Sequence, residues 1–420
     1  MRSLAGLSPR CVVIWFMPNS APVSSAEAPE LVRDYDYLIV GGGAAGLSLA
    51  YHLSQEPRLA DKRVLIIEPE AKDQNDRTWS FWADAPTLFD GIVAHEWAKL
   101  AFRSPTFERI LTPERYRYKM IRGLDFYQFV QQMLTGNPQF TWLTATVQEL
   151  TSTATGARAS TPEGEYSARY AFDSRPPRLT EMRRPHHRYL LQHFVGWEVE
   201  TEHDAFDPTT AELMDFRGEQ GQEVRFMYVL PFGPRRALVE YTLFSETPLA
   251  KAEYEVELRR YLAALPGAGN YHITAEEVGA IPMTDHPLPL RQGAHVLNLG
   301  TRAGRAKPSS GYAFKRILAH SARLTAALAA TGHPPRHSTG DQWQFRLFDT
   351  LLLDIMQRRG EQIRDIFSQL FQRNPTDRVF DFLDERTSWK ENFQIMNSVT
   401  PWPFLRSVWH VLRRRPGQRQ

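Results

Sequence analysis

The sequence predicts a mixed α/β fold in which two β-sheet domains are built from interleaved segments and followed by helices. Three observations support this prediction: an apolar run, a glycine turn and a helical pattern near the front; a series of β-prone runs in the middle; and an aromatic-rich helical pattern after Asp341. With 420 residues, the chain is long enough for two or three domains.

The first observation is the stretch "YDYLIVGGGAAGLSLAYHL" at residues 35–53. Its first six residues read as a parallel strand buried on both faces, and "LSLAYHL" reads as a helix. Between them Gly41, Gly43 and Gly46 give the spacing G-x-G-x-x-G, with Ala45 inside it. The first glycine permits a tight turn, the second lets backbone approach a pyrophosphate, and the third allows close helix–strand packing. This pattern predicts a Rossmann-type nucleotide site.

The next apolar run, "RVLIIE", reads as the second strand of that unit and ends in Glu68. A carboxylate at this distance from the glycines can accept hydrogen bonds from ribose hydroxyls. A site for NADP would favour a basic residue there, so Glu68 indicates FAD or NAD. The motif does not choose between these two.

The middle of the chain supplies the other sheet segments. Three short β-prone runs lie between residues 140 and 174, four more lie between 187 and 244, and "GPRR" reads as a hairpin loop between the last two. Residues 295–330 return to strand, glycine-rich loop and long helix. The predicted domains are a discontinuous nucleotide domain (35–75, 110–180 and 280–330), a β-sheet substrate domain (76–109 and 181–279) and a helical region with a basic amphipathic tail (331–420). Residues 1–34 read either as a disordered extension or as the product of a wrongly assigned start codon.

Composition excludes some classes of function. A formal net charge of +2 argues against nucleic-acid binding, which favours a strongly basic face. The single cysteine, Cys11, permits no internal disulfide, and this favours a reducing, cytoplasmic compartment. No spacing of His, Cys and Asp suggests a metal site.

Several segments, together with the glycine motif, carry a resemblance to a known family. They are "RTWSFW" (77–82), "QHFVGWEVET" (192–201), "MDFR" (214–217), "YVLPFGPRRALVEYTLFS" (228–245), "IPMTDHPLP" (281–289) and "GTRAGRAKPSSGYAF" (300–314). With these segments in order, the chain resembles bacterial lycopene β-cyclases of the flavoprotein type. The resemblance implies an FAD-binding domain of the glutathione-reductase/hydroxylase-like kind, with FAD active in its reduced form and NAD(P)H as the external reductant.

The resemblance also implies the reaction and its acid. The ψ-ends of lycopene, and of other ψ-ended carotenes, would close to β-ionone rings without net redox change, through γ-carotene to β-carotene. The family's key acid maps to Glu240 in "LVEYT", where plant relatives carry F-L-E-E-T; Tyr241 replaces the second acid. Strand alternation places Leu238, Glu240 and Thr242 on one face. The alternative for Glu240 is an ordinary exposed strand glutamate.

Further site residues follow from the glycine motif and the resemblance together. The expected cofactor-binding set is Gly41, Gly43, Ala45, Gly46, Glu68, Arg77, Thr78, Trp79, Val147, Asp285, Gly300, Pro308, Ser309, Ser310 and Gly311. The expected substrate tunnel contains Asp215, Arg217, Phe232, Leu238 and Tyr241. Two alternatives stay open: residues 77–79 as a seam between domains, and Asp215 with Arg217 as a structural ion pair.

The C-terminal stretch predicts attachment to a membrane surface. Phe404, Leu405, Val408, Trp409 and Leu412 lie at helical spacing, and Arg413, Arg414 and Arg415 follow them. Such a helix is typical of interfacial segments attracted to anionic lipid. Because lycopene is stored in bilayers, the expected location is cytoplasmic and peripherally membrane-associated. A helix that closes a domain is the alternative.

Two other functions compete with the cyclase interpretation. One is an FAD-dependent monooxygenase or geranylgeranyl-reductase-like oxidoreductase on the same scaffold. Many such enzymes carry a G-D pair where this chain has Gly300 and Thr301, and no second nucleotide motif for NADPH is present. The other is a carotenoid-carrying protein without catalysis.

Overall fold

The computed structural model describes residues 33–336 and 342–413. The predicted extension at 1–34, apart from the backbone of its last two residues, lies outside the described residues, as do Arg414 and Arg415. The strands are β1 (Arg33–Val40), β2 (Val64–Ile67), β3 (Thr78–Ala83), β4 (His95–Trp97), β5 (Lys99–Ser104), β6 (Phe107–Leu111), β7 (Arg117–Arg122), β8 (Phe140–Leu143), β9 (Glu149–Ser152), β10 (Ala157–Thr161), β11 (Gly164–Asp173), β12 (Tyr189–Thr201), β13 (Thr210–Asp215), β14 (Val224–Pro231), β15 (Arg236–Ser245), β16 (Tyr271–Thr284) and β17 (Val296–Asn298).

The α-helices are α1 (Ala44–Ser54), α2 (Gly123–Leu134), α3 (Leu179–Met182), α4 (Lys251–Ala264), α5 (Phe314–Thr331), α6 (Trp343–Arg359), α7 (Ile363–Arg373), α8 (Thr376–Leu383), α9 (Trp389–Ser398) and α10 (Pro401–Arg413). Short 3-10 turns lie at Pro57–Leu59, Asp90–Ile92, Gly300–Ala303 and Gly360–Gln362.

The first sheet has seven strands and carries the glycine motif. Its order is β8-β2-β1-β11-β10-β9, with β17 also paired to β11. Strands β8, β2, β1, β11 and β17 run parallel, whereas β9 and β10 form an antiparallel meander with β11. Residues Tyr37 to Val40 of β1 are all buried, as the sequence predicted for a strand covered on both faces.

The second sheet also has seven strands, in the order β16-β12-β15-β14-β13-β5-β6. One face packs Val195, Trp197 and Tyr241 against α4. The other face packs Tyr228 and Leu238 in a core that includes residues from α6, α7, α8 and α9. A small third sheet, β3-β7-β4, contributes Trp82, Trp97 and Tyr118 to the same core. Both faces of the large sheet are therefore covered, and Glu240 lies on β15, an interior strand between β12 and β14.

A buried ion cluster connects this sheet to the C-terminal helices. Arg188, directly before β12, is almost completely buried and donates to Asp354 of α6. Asp354 also accepts a hydrogen bond from Arg358 at 3.0 Å and lies 3.4 Å from Nδ1 of His410 in α10. Helix α10 is further held by Ser407, whose Oγ donates to the Leu351 carbonyl of α6 at 3.1 Å.

A helix that spans a bilayer must be both long and apolar. Within residues 33–336 and 342–413, no helix is both long enough and apolar enough to cross a bilayer.

Candidate active site

The glycine turn has the geometry of a phosphate-binding loop. Gly41 adopts φ +100°, and a Cβ on Gly46 would lie 1.9 Å from the Gly41 carbonyl oxygen, so both positions require glycine. Gly43 precedes α1 as its N-cap, and a Cβ placed there would meet no atom within 4 Å. Open space therefore lies directly over the N-terminus of α1, where backbone N–H groups favour an anion.

Glu68 lies beside this turn, as its position after the second strand predicted. Its carboxylate accepts a hydrogen bond from the Gly42 N–H and a second, at 3.2 Å, from the Glu70 N–H. Val147 is buried next to the carboxyl ends of β1 and β2, in a cluster with Val40 and Ile67.

The distal loop at residues 300–311 packs on the same helix. Gly300 adopts φ +56°, and a Cβ there would lie 2.8 Å from the Cβ of Ala45. Further along the loop, Gly311 adopts φ +72° and faces Gln192 of β12, whose Oε1 would lie 2.0 Å from an added Cβ. Two buried polar atoms among the described residues lack a partner here, Ser310 Oγ and Gln192 Oε1. The loop thus fits a bound group that supplies hydrogen bonds.

Two residues of the predicted cofactor-binding set form hydrogen bonds with other residues of the protein. Ser309 Oγ donates to Asp349 of α6 at 2.5 Å. Asp285 accepts hydrogen bonds from the Arg188 N–H at 2.7 Å and lies 3.1 Å from Nδ1 of His187. Pro308 adjoins Ser309 in the loop, and direct contact of these three residues with a cofactor stays a prediction.

The segment 77–79 connects the small sheet to the large one. Arg77 pairs with Asp76 at 3.1 Å, and Trp79 stacks on Phe314 with ring centroids 5.3 Å apart. The Thr78 N–H donates to Oε1 of Glu277 at 2.8 Å. The segment is therefore a seam between two sheets, and it also contacts a carboxylate on β16.

Glu240 lies in the interior, so the alternative of an exposed strand glutamate is wrong. Its register partners on the neighbouring strands are Tyr228 and Gly196, and Gly196 in turn pairs with Glu277. Directly paired residues share one face of a sheet, so these four residues form a row across β14, β15, β12 and β16. The Glu240 side chain is surrounded by protein yet keeps some accessible surface, as a group lining an internal space does.

The environment of Glu240 favours its neutral form. Burial, reinforced by the charge of Glu277, raises the pKa of Glu240 to about 8 against the hydrogen bond that Thr242 Oγ1 donates at 2.6 Å. Burial also raises the pKa of Glu277, whereas the Thr78 N–H and the Arg77 charge favour its ionised form. Burial thus raises the pKa of both carboxyl groups, and only Glu277 has a backbone N–H and a guanidinium that act against this shift.

Three buried tyrosines lie near Glu240. The hydroxyls of Tyr118 and Tyr312 are 3.2 Å apart, and Trp82 lies with its ring centroid 4.6 Å from that of Tyr312. Burial raises the pKa of Tyr118, Tyr228 and Tyr312 well above its ordinary value, so all three stay neutral. The three tyrosines therefore place aromatic, uncharged groups near Glu240, whereas Glu277 is the charged group that acts on it.

The predicted tunnel residues divide between the two faces of the sheet. Leu238 shares the face of Glu240, and Phe232 stacks on His95 at the end of β14, with centroids 4.8 Å apart. Tyr241 lies on the opposite face against α4. Asp215 pairs with Arg217 at 2.6 Å and accepts from Tyr261 of α4 at 3.1 Å.

The predicted tunnel residues Tyr241, Asp215 and Arg217 do not lie beside Glu240, because Tyr241 is on the opposite face of the sheet and Asp215, the ion-pair partner of Arg217, contacts α4. The alternative of a structural ion pair fits Asp215 and Arg217.

Sequence reasoning missed Glu277, Tyr118 and Tyr312. A signal for Glu277 was present, because "YHITAEEVGAIPMT" is rich in β-branched residues and forms the whole of β16. The tyrosines carried no local signal, since only the packing of the small sheet and the 300–314 segment brings them to Glu240. Within the described residues, no three His, Cys, Asp or Glu side chains are grouped as metal ligands.

Comparison with known proteins gives a consistent result. A family model described as "Lycopene cyclase protein" matches residues 36–408. Lycopene beta-cyclase of Pantoea ananas is 25% identical over 400 residues, which cover 90% of this chain and 98% of that protein.

Solved structures resemble the chain at lower identity. A geranylgeranyl bacteriochlorophyll reductase-like protein of Thermoplasma acidophilum has a TM-score of 0.59 at 15% identity and covers 90% of this chain and 100% of its own. A flavin-dependent brominase has a TM-score of 0.60 at 12% identity, covering 91% of this chain and 100% of its own. At such identities the likeness concerns the fold alone, and it confirms the Rossmann-type flavoprotein fold.

Proposed function

The chain belongs to the lycopene cyclase protein family, and from this membership we propose that Glu240 donates the proton that starts ring closure. The protein is an enzyme that cyclises lycopene, with β-ionone rings as the end groups formed. The reaction is an isomerisation of the intramolecular lyase type, because the atoms and electrons of the substrate are only rearranged. The expected sequence of products is γ-carotene and then β-carotene.

The chemistry explains why a neutral acid is needed. A proton added to C2 of the ψ-end leaves a cation at C1, the C5=C6 double bond attacks C1, and loss of a proton from C6 completes the β-ring. An alkene is a very weak base, so the donor must be protonated and shielded from water. A Glu240 pKa of about 8 keeps this carboxyl mostly protonated near neutral pH, and this observation carries the proposal.

The walls of the site suit a carbocation. Tyr118, Tyr228 and Tyr312 stay neutral and present aromatic rings, and a cation over an aromatic face gains about 0.5–2 kcal/mol. These rings also exclude water, which would otherwise capture the cation as an alcohol.

FAD is the proposed cofactor. Gly41, Gly43 and α1 would hold its pyrophosphate, Glu68 its ribose, and the 300–311 loop its flavin end, where Ser310 Oγ and Gln192 Oε1 lack partners. A reduced, anionic flavin held by these residues would supply negative charge that stabilises a developing cation. NAD(P)H is the proposed external reductant.

We further propose that the enzyme is cytoplasmic and attached peripherally to a membrane, where lycopene and other ψ-ended carotenes dissolve. Helix α10 exposes Trp402, Leu405, Val408, Trp409 and Leu412 at helical spacing. Arg413 stacks on Trp409, 3.5 Å from its ring centroid. Such a stripe suits the boundary between headgroups and acyl chains of an anionic bilayer.

An apolar slot lies beneath this helix. Phe404 points inward from α10 and lines the slot together with Met396, Phe345 and Phe382. The polar residues Lys307 and Ser309 also line the slot. The free space is only about 60 Å³, so a polyene could enter it only if the helices moved apart. The slot is consistent with a route from lipid towards the 300–311 loop.

The test replaces Glu240 by Gln in cells that accumulate lycopene. The wild-type chain should convert red lycopene to γ-carotene and β-carotene, and Glu240→Gln should lower turnover by about 100-fold or more. Tyr241→Phe, on the opposite face of the same strand, should stay close to wild type. Unchanged lycopene beside folded, flavin-loaded wild-type protein would refute the function; a fully active Glu240→Gln variant would refute the role of Glu240.

A further inference from the structure

The row that contains Glu240 ends in a second carboxyl group, that of Glu277, which has no role in the proton donation by Glu240. Glu277 on β16 and Glu240 on β15 are both register partners of Gly196 on β12, so the two glutamates flank one glycine on the same face. Adjacent strands are about 4.8 Å apart, so the backbones of β15 and β16 lie about 10 Å apart. Between them Gly196 contributes no side chain, and a Cβ there would lie 3.1 Å from Leu238 Cδ1 and 3.4 Å from Glu240 Cβ.

The two carboxyl groups differ in the partners they accept. Glu277 receives the Thr78 N–H at 2.8 Å and lies in the field of Arg77, and both interactions favour its anion. Glu240 accepts a hydrogen bond from the Thr242 hydroxyl. No cation contributes to the shift of its pKa. Burial raises the pKa of both carboxyl groups, but the partners that stabilise an anion lie only at Glu277, and this difference favours Glu240 as the acid and Glu277 as the base.

We propose that Glu277 is the base that removes the C6 proton, so that the acid and the base of the cyclisation stand on either side of Gly196. This inference rests on the proposed function. Protonated Glu240 gives its proton to C2 and becomes a carboxylate; C1–C6 bond formation moves the cation to C5; the C6–H bond pair becomes the C5=C6 double bond as carboxylate Glu277 takes the proton. Transfer of this proton from Glu277 to Glu240 then restores the starting state, with no net gain or loss of protons or electrons.

The position of the base decides which ring forms. The C5 cation can lose a proton from C6 to give a β-ring, from C4 to give an ε-ring, or from the methyl group on C5 to give a γ-ring. In the folded protein Glu277 selects C6. Removing its carboxylate should therefore alter the type of ring as well as the rate.

The experiment compares Glu277→Gln with Glu276→Gln in lycopene-accumulating cells and in liposomes with reduced, flavin-loaded protein. Glu276 is the matched control, because it is the next residue of β16 and bonds Trp197 and Lys251 on the other side of the sheet. Products are separated by chromatography and their end groups are identified by absorption and mass spectra. Glu277→Gln should lower turnover about 100-fold and give ε- or γ-rings in the residual product, whereas Glu276→Gln should give only β-rings near the wild-type rate.

The outcomes separate the inference from the function. Only β-rings from Glu277→Gln, at any measurable rate, would overturn the assignment while leaving the cyclase activity intact. If Glu277→Gln gives no product or does not fold, Glu277→Asp retains a carboxylate and should regain turnover with mixed ring types. An Asp variant that folds, binds flavin and is inactive would also overturn the assignment. Failure of the wild-type chain to cyclise lycopene would refute the function itself.

Discussion

The raised pKa of Glu240 is caused by the groups that surround it. Burial is the largest cause of its raised pKa, the charge of Glu277 adds to it, and the Thr242 hydroxyl acts against both. Alternation along "ALVEYTLF" correctly predicted that Glu240, Leu238 and Thr242 share a face. The partnership with Glu277 could not be predicted, because it depends on the register of two strands against a third.

The pKa of Glu240 sets the pH dependence. Because this pKa is raised from 4.5 to about 8, the acid form is present below about pH 8 and is lost above it. Turnover of pre-reduced protein should therefore fall by roughly tenfold per pH unit above about pH 8. Initial rates from about pH 6 to about pH 9.5 would check this, and a rate that rises across that range would contradict it.

The same shift affects folding with a defined sign. The folded protein holds this proton more tightly than the unfolded chain does. The contribution of Glu240 to the free energy of unfolding is therefore complete below about pH 4.5 and is lost as the pH rises towards about 8.

At the scale of elements, the face that carries Glu240 depends on one glycine in β12 and one in β16. Gly196 makes room for Leu238 Cδ1 and Glu240 Cβ, which would lie 3.1 Å and 3.4 Å from an added Cβ, and Gly279 receives the ring of Phe194, whose Cζ would lie 2.3 Å from an added Cβ. Sequence patterns correctly predicted β1, α1, β2, α4 and α10, because the glycine motif marks the first three, paired opposite charges mark α4, and a strong amphipathic period marks α10. They missed β16 and the small sheet of β3, β4 and β7, whose strands are partly polar and are stabilised by packing between sheets.

A side chain at position 196 should disturb Glu240. In Gly196→Val the added Cβ would lie 3.1 Å from Leu238 Cδ1 and 3.4 Å from Glu240 Cβ, so Glu240 would have to shift, and turnover should fall at least about tenfold, with flavin content unchanged. Gly233→Val is the control, since a Cβ at this hairpin position meets no atom within 4 Å. Product yield and flavin absorbance per folded protein are the measurements. Wild-type activity in Gly196→Val would show that the reaction does not depend on the close packing of Gly196 against Glu240.

At the scale of the whole molecule, helix α10 differs from the prediction in one respect. Its exposed stripe agrees with the predicted amphipathic helix, but Phe404 turns inward to the slot, because Ser407 anchors that side of α10 to α6. The sequence pattern predicted the helical period of α10, but it did not predict how the helix is rotated about its own axis. Only packing against α6 decides which apolar residues face solvent.

The membrane proposal predicts a loss of vesicle binding. Replacing Leu405 and Trp409 by Ser should weaken binding to vesicles of anionic lipid by at least about tenfold, because burying one large apolar side chain contributes about 1.5–3 kcal/mol. Val256→Ser on α4, where the valine is 50% exposed, removes apolar surface elsewhere and serves as the control. Co-sedimentation with vesicles measures the effect, and equal binding of both variants would argue against α10 as the attachment site.

The buried cluster of Arg188, Asp354 and His410 gives this arrangement a mechanical aspect. The Asp354 carboxylate connects α10 to Arg188 at the start of β12, the strand on which Gly196 lies between the two glutamates. Under the membrane proposal, a displacement of α10 on lipid would be passed through this ion cluster to the strand beside Glu240.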